Sequence, residues 1–159
     1  MTTQTAGRAR RAYFFTAGCV MIVFGFASAA NADVKPKNSR EAAVMHFLEM
    51  IFDQGKAAEA FEQYGGPYYR QHNPMFPDGK EVLIAALKQL PPEVKFHYEF
   101  KRILSDHDMV IVHSRVTKDA ADRGNAVVDF FRFEKGRIVE HWDVVQPIPE
   151  KAANDNTMF

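Results

Sequence analysis

A single cysteine, Cys19, is all the thiol chemistry this 159-residue chain holds, and it lies in an apolar run near the start. A lone thiol closes no disulfide within one chain, and no serine sits in a strand-turn-helix elbow, so neither common nucleophile is on offer. The chain also lacks a surplus of either charge, with 20 basic against 20 acidic residues. Nothing in that balance neutralises a phosphate backbone, which excludes a nucleic-acid partner. Internal repeats and low-complexity tracts are missing, and the uncharged run 12–27 falls short of the ~20 residues a membrane-spanning helix needs.

What is present begins with a leader. Arg8, Arg10 and Arg11 precede the apolar run, and Ser28-Ala29-Ala30-Asn31-Ala32 follows it. Basic, apolar and small-residue regions in that order predict a signal peptide over residues 1–32, cut after Ala32, with a retained membrane anchor as the alternative. Arg10-Arg11 ahead of Tyr13-Phe14-Phe15 fits a twin-arginine export signal. The expected location is periplasmic or secreted, with no stable membrane insertion after cleavage. Cleavage removes Cys19 and three arginines, leaving 17 basic against 20 acidic residues on a chain that suits one globular domain.

Residues 33–149 read as that domain. Asn38 with Glu41 three positions on is a helix-start signature, and Val44, Phe47, Leu48, Ile51 and Phe52 follow at helical spacing until Gly55. Residues 57–64 read as a second helix closed by Gly65-Gly66-Pro67, followed by a polar and aromatic loop, Tyr68 to Pro74, suited to a pocket wall. Asp78 and Glu81 open a third helix that stops at Pro91-Pro92. Strands are expected over 94–104 and 109–118, and residues 150–159 as a flexible tail.

The closing stretch from Val127 to Gln146 predicts a long antiparallel hairpin about Lys135-Gly136. Period two puts Val127, Asp129, Phe131 and Phe133 on one face of its first arm. In the second arm Glu140 goes with Trp142, and His141 with Asp143. If the first pair lines the interior, Glu140 is the buried acid; if the second does, His141 and Asp143 form an acid/base pair. Helices first and antiparallel strands after them give an α+β domain.

Gln71-His72-Asn73-Pro74 with Asp78-Gly79-Lys80-Glu81 after it, and the run from Phe131 to Asp143, resemble the SnoaL-like proteins. These are relatives of polyketide cyclases in the nuclear transport factor 2-like superfamily. The resemblance spans about residues 38–147. It implies a cone-shaped, strongly bent antiparallel sheet wrapped on N-terminal helices, a deep apolar pocket and a homodimer packed through the outer sheet face. It also implies either a cofactor-free acid/base enzyme or a protein that only binds a small hydrophobic or carbonyl-containing molecule, because the fold does not fix the reaction. Asp129 and Asp143 both lie where the cyclases carry their catalytic aspartate.

Proton abstraction beside a carbonyl needs a base of suitable pKa and a donor for the developing enolate oxygen. The expected proton carriers are His72, flanked by two amides, and Asp129, with His113 as a third candidate. Tyr69, Gln71, Asn73, Phe131, Glu140, Trp142 and Asp143 are expected to bind and polarise the substrate. His72, His113 and His141 lack the close spacing of a metal motif, so the reading includes no metal and no cofactor.

Overall fold

A computed structural model describes residues 34–159 other than Pro92 and Glu93. The expected signal peptide lies outside the described residues, among which no helix is long and apolar enough to cross a membrane. Three helices, α1 (Ser39–Leu48), α2 (Ala57–Tyr64) and α3 (Lys80–Lys88), pack with five strands. The strands are β1 (Gly65–Gln71), β2 (His97–Asp106), β3 (Met109–Thr117), β4 (Asn125–Glu134) and β5 (Arg137–Pro147). They form one curled sheet in the order β1-β5-β4-β3-β2.

Asn38 starts α1 as expected, its Oδ1 accepting from the backbone N–H groups of Arg40 and Glu41 at 3.0 Å each. Glu41 reaches back one residue further than a regular capping box and accepts from Lys37 N–H at 2.6 Å and Ser105 Oγ at 2.7 Å. Burial favours the neutral acid, but these bonds outweigh it and hold Glu41 below its ordinary pKa. Beyond α1 the helix widens into a π-helical turn, Glu49–Asp53, which carries Ile51 and Phe52. The core lies between this helical layer and the concave side of the sheet, where Phe47 meets Phe61 and Phe131 edge to face.

Three local expectations give way. The stretch read as a loop from Tyr68 is the end of a strand: β1 runs parallel to β5, so the sheet is mixed rather than wholly antiparallel. Gly65-Gly66-Pro67 closes α2 as expected but also opens this strand, and Gly66 lets β1 pass close to β5, where a Cβ would stand 2.5 Å from Val139 Cγ1. Asp78 caps no helix. Its Oδ1 instead accepts the backbone N–H of Gln71 at 2.8 Å, tying down the end of β1, while Gly79 at φ 96° leads into α3. Strand β2 begins at His97 rather than Val94.

The long hairpin is present, with Lys135 (φ 49°) and Gly136 (φ 77°) as a two-residue turn of the left-handed kind that matches strand twist. Its second arm departs from strict alternation. Arg132 pairs Glu140 but Phe133 pairs Ile138, so Val139 is an extra residue, a bulge. Ile138 therefore joins Phe133 in the core, and Ile138 through His141 are all buried.

Residues 150–159 form no helix or strand, but the expected flexible tail returns to the sheet: the Phe159 ring stacks on His113, centroids 5.4 Å apart. An aromatic ring over an imidazole on an otherwise open sheet face accounts for that return.

Candidate active site

Strand periodicity decides which side chains enter the cone. On β4, Val127, Asp129 and Phe131 point in; on β5, His141, Asp143 and Val145 do so; on β1 and the residue pair beyond it, Tyr69, Gln71 and Asn73 do so. Together with helix-borne apolar residues they surround a cavity of about 200 Å³. The hairpin face carrying His141 and Asp143 is thus the one that lines the interior.

At its polar end the cavity holds a connected chain of groups. Asp129 and Asp143 are direct cross-strand neighbours. Asp129 Oδ1 lies 3.0 Å from His141 Nε2, and His141 Nδ1 lies 3.0 Å from Gln71 Oε1. Gln71 Oε1 also accepts the backbone N–H of Asn73 at 2.9 Å, which only an oxygen can do. His141 Nδ1 must then carry hydrogen and donate to Gln71. A single mobile proton remains for the bond between Nε2 and Oδ1, on the imidazole as an ion pair or on the carboxyl as a neutral pair.

Asn73 fixes Asp143 by the same logic. Its Oδ1 accepts Met75 N–H at 2.8 Å, leaving Nδ2 to donate to Asp143 Oδ2 at 2.6 Å. Both amides come from one short segment, and each aims a cavity side chain.

Asp129 is 2% exposed, and its Oδ2 is buried with no hydrogen-bond partner among the described residues. Burial raises its pKa; the His141 bond opposes that rise, and Asp143 adds to it. A buried carboxyl oxygen without a partner among the described residues, on a cavity residue whose pKa is raised, marks Asp129 as a candidate functional group. Burial also pushes the phenols of Tyr69 and Tyr98 well above their ordinary pKa, with Asp129 and Asp143 contributing, so both stay protonated donors at neutral pH. Both line the same cavity.

Of the expected site residues, Tyr69, Gln71, Asn73, Asp129, Phe131 and Asp143 line this cavity, and His72, His113, Glu140 and Trp142 do not. His72 continues the β1 ladder, its N–H donating to His141 O at 2.9 Å, so its side chain falls on the face opposite Gln71 and Asn73. There it stacks flat on Trp142 at 4.4 Å and meets Glu140 Oε1 through Nε2 at 2.9 Å. Arg132 Nε donates to the other oxygen of Glu140 at 2.6 Å. Burial alone would raise Glu140, but the bonds from His72 and Arg132 prevail and lower its pKa. Both oxygens of Glu140 are thus paired, in a network that lies outside the cavity.

His113 also faces away, between Arg102 Nη1 at 3.0 Å and the Phe159 ring. Burial lowers its pKa, and Arg102 and Lys101 lower it further. The residue that sequence reasoning left out of the site is His141, which it held only as one of two alternatives. Phe96 and Tyr98, which wall the cavity, gave no signal beyond being aromatic, and Phe52 gave only its place on the apolar stripe of the first helix.

Asp129, His141 and Asp143 each offer a ligand atom within 4.8 Å of the others, so these three are also the residues that could hold a metal ion here.

The SnoaL-like domain model matches residues 42–141. The chain belongs to the SnoaL-like family. Among curated proteins none matches the sequence. Solved structures similar to this SnoaL-like protein include a candidate ketosteroid isomerase from Kribbella flavida, at 17% identity over 72% of this chain and 83% of that one, TM-score 0.58. A candidate polyketide cyclase from Bacillus cereus is 22% identical over 70% of this chain and 81% of its own, TM-score 0.56. An epoxide hydrolase of the LEH-like kind from Mycobacterium tuberculosis is 19% identical over 67% and 82%, TM-score 0.56. At these identities the likeness establishes the SnoaL-like, nuclear transport factor 2-like fold, an architecture that holds small molecules, and leaves chemistry to the site.

Proposed function

We propose that this protein is a small-molecule enzyme that performs cofactor-free acid/base chemistry on a carbonyl compound, as in aldol-type cyclisation, isomerisation or dehydration. One observation carries the reading: a buried Asp129 with a free Oδ2, coupled through Oδ1 to an imidazole whose far nitrogen is fixed by Gln71.

In the ion-pair form, Asp129 Oδ2 takes the proton from the carbon beside the substrate carbonyl, and the enolate oxygen is met by a phenol of Tyr69 or Tyr98. The carboxyl becomes neutral while His141 keeps its charge, so the step moves charge from Asp129 to the enolate without separating it further. His141 then returns a proton, through Asp129, to the product. Phe131 lies tilted against the His141 ring at 4.8 Å and keeps water from that side. The sequence of residues 1–32 supports an exported enzyme, which N-terminal sequencing of the mature protein tests.

The test of the chemistry is exchange of α-protons for deuterium, followed by NMR, over a panel of ketones and 1,3-dicarbonyl compounds. Wild type should exchange, and Asp129→Asn and His141→Gln should each lose 10²–10⁴-fold in rate, about the contribution of a positioned acid or base. Ligand binding with no exchange in wild type would instead mark a protein that only binds a small hydrophobic molecule.

A further inference from the structure

The cavity has a thin wall. Ile51, Phe52, Leu87 and Phe96 line it and also line a second hollow of about 410 Å³ between the π-helical turn, the start of α2 and the end of α3. Phe52 is the centre of this partition. It stacks on Tyr98 at 4.9 Å and meets Phe96 edge to face at 5.9 Å, and the π-helical turn that carries it is a backbone form concentrated at functional sites. Aromatic packing of this kind fixes a side chain in place, so the partition sets how much of the combined space a ligand can use.

The space on the reactive side is small. A cavity of about 150 Å³ takes up a benzene ring, and drug-sized ligands occupy sites of about 300–1,000 Å³. At about 200 Å³ this cavity holds one ring and a short substituent. Its electrostatics narrow the choice. Two acidic side chains, Asp129 and Asp143, face one imidazole, and among the described residues no lysine or arginine lines it. The imidazole is already bound to Asp129, so a substrate carboxylate or phosphate would enter beside two acids with no cation of its own, and burying an unpaired charge is costly.

We infer that the substrate is an uncharged single-ring carbonyl compound, and that the partition of Ile51, Phe52, Leu87 and Phe96 is the specificity element excluding fused-ring compounds. This rests on the reading of the cavity as the reaction site. It separates the protein from any role on multi-ring polyketides or steroids, whatever the chemistry.

Calorimetric titration with four probes tests it: acetophenone, benzoate, 2-acetylnaphthalene and a four-ring steroid ketone. Wild type should bind acetophenone at least tenfold more tightly than the other three. Leu87→Ala, and separately Phe52→Ala, should open the partition and tighten 2-acetylnaphthalene by tenfold or more, with circular dichroism and thermal melting confirming that each variant is folded. Equal or tighter wild-type binding of benzoate or of the steroid ketone overturns the inference, as does a folded Leu87→Ala protein with unchanged selectivity. Selective binding of acetophenone without α-deuterium exchange leaves this inference standing and removes the acid/base reading. Exchange that is equally fast on the naphthyl ketone does the reverse.

Discussion

The imidazole of His141 stands 3.0 Å from Asp129 with its far nitrogen already committed to Gln71. That arrangement leaves one proton to be shared between a buried base and a buried acid, and the expected catalytic behaviour derives from it.

Gln71 is the fixed point. Replacing it with Leu keeps the bulk but removes the acceptor for both Asn73 N–H and His141 Nδ1–H. Each stranded donor costs about 1–3 kcal/mol, so urea unfolding should show a loss of that order or larger. Turnover should fall more than binding, since the imidazole loses its orientation while the apolar walls remain.

His72 gives the opposite result. His72→Ala removes a partner of Glu140 and the flat contact with Trp142, both outside the cavity. Stability should drop by about 1–3 kcal/mol, and kcat for whichever carbonyl substrate is identified should stay within a fewfold of wild type. A loss as large as that of Asp129→Asn would place His72 in the reaction after all.

Much of this was readable in the residues. Alternation along β4 puts Asp129 beside Phe131 without any coordinates, and the Lys135-Gly136 turn fixes where the hairpin folds. The segment from Tyr68 to Asn73 was harder, because β1 opens on Gly-Gly-Pro and pairs with a strand some 70 residues away, so nothing local marks it as extended. Once it is a strand, the same period-two rule sends Gln71 and Asn73 inward and His72 outward. The bulge at Val139 left no compositional trace, and the contact of Phe159 with His113 joins residues 46 apart in a chain with no other clue to their meeting.

Glu41 supplies a pH dependence in the acid range. Its folded-state pKa is lowered, so the ionised form stabilises the fold above the ordinary glutamate value of about 4.3, and that contribution disappears as pH falls through the lowered value. Glu41→Gln should flatten the acid limb of the melting-temperature profile and lower stability at pH 7 by about 1.5–3 kcal/mol, the scale of a charge-assisted bond.

Asp129 shifts the other way. A raised folded-state pKa means the native state binds the proton more tightly, so stability is greatest below the ordinary aspartate value of about 3.9 and declines as pH rises through the raised one. Asp129→Asn should lack this decline and gain stability relative to wild type at neutral and alkaline pH, read from melting temperatures across the pH range.

The most direct measurement is a ¹³C NMR titration of the Asp129 carboxyl carbon, assigned against Asp129→Asn. A carboxyl that stays protonated above the ordinary aspartate range, and whose midpoint falls when His141 is replaced by a cationic partner such as Lys, is the predicted result. A carboxyl carbon that titrates at or below about 3.9 in the wild-type protein would contradict it, because burial would then not have raised the Asp129 carboxyl above its ordinary range.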